Sequence, residues 1–148
     1  MKMKKYTVWI LLLLLGLALI LAYALWKQPE DYRKMRQEEV GLPVYPGLRG
    51  LGGSGEGTIE IAGKTVDILP SVYGDTLAPM EKVVAFYSKK LPGWNQRNIG
   101  GAYYFWSGDT SGDFNPAGPE GMKRVSIHLK QSLDDTDRVS VSYFIEPR

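Results

Sequence analysis

The sequence predicts an α+β protein, with an N-terminal transmembrane helix followed by a small domain in which one helix covers an antiparallel sheet, the elements running ββαββββ. Three observations predict it. Residues 6–26 are a run of 21 residues without a charge, several later segments alternate apolar and polar residues with period two, and between Leu77 and Leu91 the period becomes helical.

An apolar run of that length crosses a bilayer as a helix, at about 1.5 Å per residue against roughly 30 Å of hydrocarbon. Lys2, Lys4 and Lys5 precede it, Lys27 follows it, and Tyr6, Trp9, Tyr23 and Trp26 sit near its ends, where amphipathic rings favour the headgroup region. A cleaved signal peptide is the competing reading, with Ala22-Tyr23-Ala24 as its small-x-small site. The basic tail is expected inside and the domain outside the cytoplasm. After cleavage at Ala24 the domain would be periplasmic or secreted.

The chain therefore divides into a cytoplasmic tail at 1–5, a transmembrane helix or signal anchor at 6–26, a charged spacer and Gly/Pro-rich linker at 27–57, and an extracytoplasmic α+β domain at 58–148. In the spacer, Pro29 suits a helix first turn and Glu30 lies four residues before Lys34, a favourable pair. Gly41, Pro43 and Pro46 end it. The glycine-rich stretch 50–57 reads as a flexible connector.

From Thr58, Ile59 and Ile61 and then Val66 and Ile68 alternate around Ala62, Gly63 and Lys64, which predicts a hairpin. Met80, Val83, Val84, Tyr87 and Leu91 share one helical face, with Pro79 in the first turn and Pro92-Gly93 as the stop. Residues 94–99 and 102–107 are strands joined by Gly100-Gly101. Residues 108–121 form a polar loop, and Val125, Ile127 and Leu129 pair as strands with Val139, Val141, Tyr143 and Ile145. The alternation predicts a sheet with its second face largely wet.

Composition excludes several functions. The chain has no cysteine, hence no disulfide, thiol catalysis or cysteine-bound metal. Residues 41–148 carry 11 cations against 12 anions, so the basic balance belongs to the membrane end, and nucleic acid is not an expected partner. The expected partners are the lipid bilayer, through residues 6–26, and another envelope protein or a ligand. The absence of an Asn-x-Ser/Thr acceptor fits a bacterial envelope protein.

No catalytic or cofactor-binding constellation stands out, and the expected function is that of a binding or accessory module. Gly50, Gly52 and Gly55 satisfy G-x-G-x-x-G, but prolines precede the motif and a strand follows it, the wrong context for a pyrophosphate site. Asp109, Ser111, Asp113, Asn115 and Glu120 occupy positions 1, 3, 5, 7 and 12 of an EF-hand-like calcium loop, although Phe114 stands where such a loop needs glycine. Turn formation accounts for the same residues. His128, the single histidine, lies on the polar side of its strand with Ser126, Asp134 and Asp135 as sequence neighbours. An exported enzyme or calcium-binding domain using His128 or the loop is the alternative function. Of the four consecutive aromatics Tyr103, Tyr104, Phe105 and Trp106, one alternate pair must face the helix. The other pair, Tyr104 with Trp106 if it points away, is either a binding surface or covered by the long loop.

Pro43-Val44-Tyr45-Pro46-Gly47, Asp75-Thr76, and Val83 to Tyr87 followed by Leu91-Pro92-Gly93-Trp94 together resemble a pattern in small exported or membrane-anchored bacterial proteins of unassigned function, with a Y-P-G segment and a V-x-x-F-Y-x-x-x-L-P-G-W helix end. The resemblance implies an envelope domain and no particular activity. A weaker likeness, to the βαβββ half-module of vicinal oxygen chelate proteins, carries no metal chemistry here, because that family pairs two modules around His and Glu ligands and this chain has one module with His128 alone.

Overall fold

The structure, a computed structural model, describes residues 3–61, 63–108, 113–135 and 137–147, with side chains described outside 3–6, 26–33, 35, 36 and 61. It divides into two units, residues 1–39 and 40–148. In the first, helix α1 spans Met3–Val40 without a break. Pro29, expected to open a second helix, removes one backbone donor and leaves the helix continuous. Within it Thr7–Leu25 has a mean hydropathy of 2.8 and is unburied along its length.

The second unit is α+β, as the alternation and the amphipathic segment predict. Its strands are β1 (Arg49–Ser54), β2 (Gly57–Ile61), β3 (Lys64–Ile68), β4 (Ser71–Thr76), β5 (Asn95–Ile99), β6 (Ala102–Trp106), β7 (Ser126–Gln131) and β8 (Val139–Phe144), with helices α2 (Met80–Lys90) and α3 (Pro119–Met122). Six strands form an antiparallel sheet in the order β1-β4-β8-β7-β6-β5, and β2 and β3 form a separate hairpin. Three expected hairpins are present: β2–β3, β5–β6 with positive φ at both Gly100 and Gly101, and β7–β8. Ala62, in the first of these turns, lies outside the described residues.

Two strands and one helix go beyond the sequence reading. Composition predicts a flexible connector at 50–57, yet residues 50–54 belong to β1 at the sheet edge. The glycines there serve packing. Gly50 takes φ +61° where the β1–β4 register shifts, and at Gly52 a Cβ would come within 2.9 Å of the Tyr73 ring. Strand β4, with glycine and polar residues among its six, offers no run of apolar alternation, and α3 is a single turn inside the long polar loop.

The compact unit consequently starts at Val40 rather than at Thr58. Val40 and Val44, 5% and 4% exposed, and Leu51 on β1 belong to one core with Val83 and Tyr87 of α2, Leu91 just after it, and the inward residues of β4, β6, β7 and β8. Side-chain alternation puts Val72, Phe105, Ile127, Leu129, Val139, Val141 and Tyr143 on this helix face. At its centre the Tyr87 and Tyr143 hydroxyls hydrogen-bond each other, and the Tyr45 main-chain N–H donates to Tyr143 Oη at 3.4 Å. Tyr45 also meets Phe86 edge to face at 5.2 Å. The residues carrying the Y-P-G and V-x-x-F-Y resemblance are thus parts of one packing knot.

Candidate functional site

The opposite face of the sheet, expected to be largely wet, is divided in two. Its register rows are Asn95, Trp106, Ser126, Phe144, Ser71 and Ser54, and beside them Arg97, Tyr104, His128, Ser142, Tyr73 and Gly52. Residues 113–125 cover the β5–β7 half. Phe114 lies 5.4 Å from the Trp106 ring, and the Arg124 guanidinium stands 4.0 Å over Phe114. Arg97 Nη1 donates to the Phe114 carbonyl at 3.0 Å. Of the two alternatives for this pair, Trp106 takes the covered one, being only 2% exposed, while Tyr104 is half-buried against His128. A Cβ on Gly121 would lie 2.0 Å from the Pro116 carbonyl oxygen, so this cover requires glycine there.

His128 sits beneath the cover between the rings of Tyr104 and Phe144, with centroids 4.8 and 4.6 Å away. Ser126 Oγ donates to the Gly121 carbonyl at 3.0 Å and lies 3.1 Å from His128 Nε2. With the serine proton committed to that carbonyl, Nε2 must be the donor to Ser126, and it has no lone pair with which to activate the hydroxyl. Burial, assisted by the Lys130 cation, lowers the imidazole pKa to about 4, so the ring is neutral near pH 7. Asp135, one of the carboxylates near it in sequence, is bound to Arg138 at 2.9 Å and to the Asp137 N–H. The pair is built as a buried polar link, not as a base and nucleophile.

Of the loop residues read as calcium ligands, Asn115 has another use. Asn115 Oδ1 accepts the Ala117 N–H at 3.0 Å, closing an Asx turn, while Asp113 is exposed and Glu120 stands in the first turn of α3. Asp109 and Ser111 lie outside the described residues. Among the described residues, no group of three or more His, Asp or Glu could hold a metal ion.

The β4–β8 half of the face is open and holds a cleft of about 260 Å³. Tyr73 and Asp75 project into it from β4, Ser140 and Ser142 from β8 and Lys130 from β7, and Leu133 stands 94% exposed at its rim. Ser140 Oγ donates to Asp75 Oδ1 at 2.6 Å. These residues were not singled out as a site in sequence. They come together only through the pairing of β4 with β8 and β8 with β7, and β4 carries no strong strand signal. A second cleft, of about 580 Å³, lies where the β2–β3 hairpin, Leu69, Pro70, Lys123 and Pro147 meet.

Comparison of the chain with protein-family models, with curated proteins and with solved structures found no match in any of the three. Fold and surface define its class on their own terms. It is an α+β protein with an N-terminal helix long and apolar enough to span a membrane, and with a polar cleft on the β4–β8 half of its outer sheet face.

Proposed function

We propose that the chain is a single-pass, membrane-anchored protein of the bacterial envelope whose domain stands outside the cytoplasm as a binding or accessory module. The observation that carries this reading is the surface of α1: from Val8 to Leu25 its large aliphatic side chains are 55–73% exposed. In water such a stripe is unfavourable at roughly 25 cal/mol per Å². A bilayer removes that cost. The domain from Val40 onward has its own core, to which the apolar stretch Thr7–Leu25 contributes nothing. The hydrogen bonding of Ser126 and His128 speaks against hydrolytic catalysis at that pair.

The experiment uses the absence of cysteine. Lys4→Cys and Lys82→Cys variants of the full chain are labelled in intact bacterial cells with a membrane-impermeant maleimide. Labelling of Lys82→Cys alone, with the protein resistant to carbonate extraction and an intact mass that includes Met1 to Ala24, supports the anchored reading. A soluble protein lacking residues 1–24 overturns anchoring, and labelling of Lys4→Cys alone overturns the orientation.

A further inference from the structure

We infer that the open cleft on the β4–β8 half of the sheet binds a sugar, one pyranose unit seated on Tyr73 among Asp75, Lys130, Ser140 and Ser142. A sugar ring presents an apolar C–H face and a rim of hydroxyls that donate to carboxylates and accept from ammonium groups. A site for it needs an aromatic platform beside fixed polar groups of both kinds. The cleft supplies each of them.

Tyr73 is 50% exposed although large and aromatic, and the outer part of its ring lies over Gly52, with ring atoms 2.9–3.1 Å from the place a Cβ would take. The missing side chain of Gly52 is what lets the ring lie there. Two residues along β4 on the same face is Asp75, whose carboxylate accepts from Ser140 at 2.6 Å. Ser142 stands opposite Tyr73, and Lys130 stands opposite Ser140 on the next strand. Carboxylate, ammonium and hydroxyls are therefore carried by interior strands of the sheet, whose backbone holds its position better than a loop, and Asp75 and Ser140 are further tied to each other.

Other ligand classes fit less well. The strands forming the floor, β4, β8 and β7, each pair on both sides, so an extended peptide finds no open ladder there. The charges are mixed, with Asp75 and Asp134 against Lys130, which disfavours a simple anion. The volume of about 260 Å³ falls below the roughly 300–1,000 Å³ typical of sites for drug-sized molecules, and suits a single ring. This inference deepens the binding-module reading and supplies its ligand class.

The test uses the full chain in phosphocholine nanodiscs, which carry no sugar headgroups. Saturation-transfer NMR is run with methyl glucoside, N-acetylglucosamine and the β-1,4-linked N-acetylglucosamine trimer. Transfer to the ring protons of at least one sugar is expected. Tyr73→Ala should weaken binding by about tenfold and Gly52→Ala, which displaces the ring without touching the ligand, by about threefold, while Tyr73→Phe keeps it. No transfer to any of the three sugars overturns the inference, as does transfer indifferent to both Tyr73→Ala and Gly52→Ala. Membrane retention and cysteine labelling are read independently, so silent sugars on an anchored, outward-facing chain dismiss the ligand class and leave the anchored module standing.

Discussion

Tyr143 lies in the core with its phenol hydroxyl shared between the Tyr87 hydroxyl and the Tyr45 N–H. Replacing Tyr143 with Phe leaves both partners buried without it, and should cost about 2 kcal/mol in chemical denaturation; Tyr87→Phe removes one bond and should cost about 1 kcal/mol. Burial also disfavours the phenolates. It raises Tyr87 well above its ordinary value and pushes Tyr143 up to about 12. The folded state therefore holds its phenolic protons after the unfolded chain has lost them. Stability is full below pH 10 and falls by about 2 kcal/mol from Tyr143 by pH 12, a loss absent from the Tyr143→Phe variant. His128 behaves oppositely in pH, because its folded pKa of about 4 lies below the ordinary 6.5. Between those values the unfolded chain binds a proton that the folded chain refuses. Stability should be full above pH 6.5 and decline by about 3 kcal/mol towards pH 4, and His128→Gln should flatten that part of the curve.

At the level of elements, the segment from Val40 through β1 changes the map of the chain. It is the outer strand of the sheet together with a strap of core residues, Val40, Val44 and Leu51. Each such side chain contributes roughly 1.5–3 kcal/mol when fully buried, so the three together approach the 5–15 kcal/mol that holds a typical domain folded. A chain beginning at Val40 should therefore unfold cooperatively in urea. One beginning at Thr58, the boundary read from composition, should show no cooperative transition and should bind a dye for exposed apolar surface. Two of the glycines that suggest a linker have other reasons: Gly50 takes a positive φ at a register shift, and Gly52 admits the ring of Tyr73, a residue about twenty positions away. Composition records that glycine is needed and not what needs it.

For the whole molecule, the proposed anchoring rests on the free energy of one helix. Leu13→Arg with Leu14→Arg places two guanidinium groups near the middle of the apolar stretch, each costing about 2.5–3.5 kcal/mol on an insertion scale. The double variant should leave the carbonate-resistant membrane fraction while residues 40–148 keep their thermal transition. An unchanged membrane fraction would mean that contacts of the domain, rather than the helix, retain the protein.

The local elements are legible in the order of residues. The apolar helix, the amphipathic α2 and three hairpins follow from the spacing of neighbouring residues, and period and turn chemistry are local properties. Of the candidate sites, the sequence offered His128, Tyr104 and Trp106 as residues without saying which would be covered. That residues 113–125 roof Trp106 and His128, that β1 completes the sheet, and that Tyr73, Asp75, Ser140, Ser142 and Lys130 share one cleft emerges from long-range pairing alone. Those outcomes depend on which distant strands pair and in what register. A side chain's neighbours across a sheet lie tens of residues away, where periodicity carries no information.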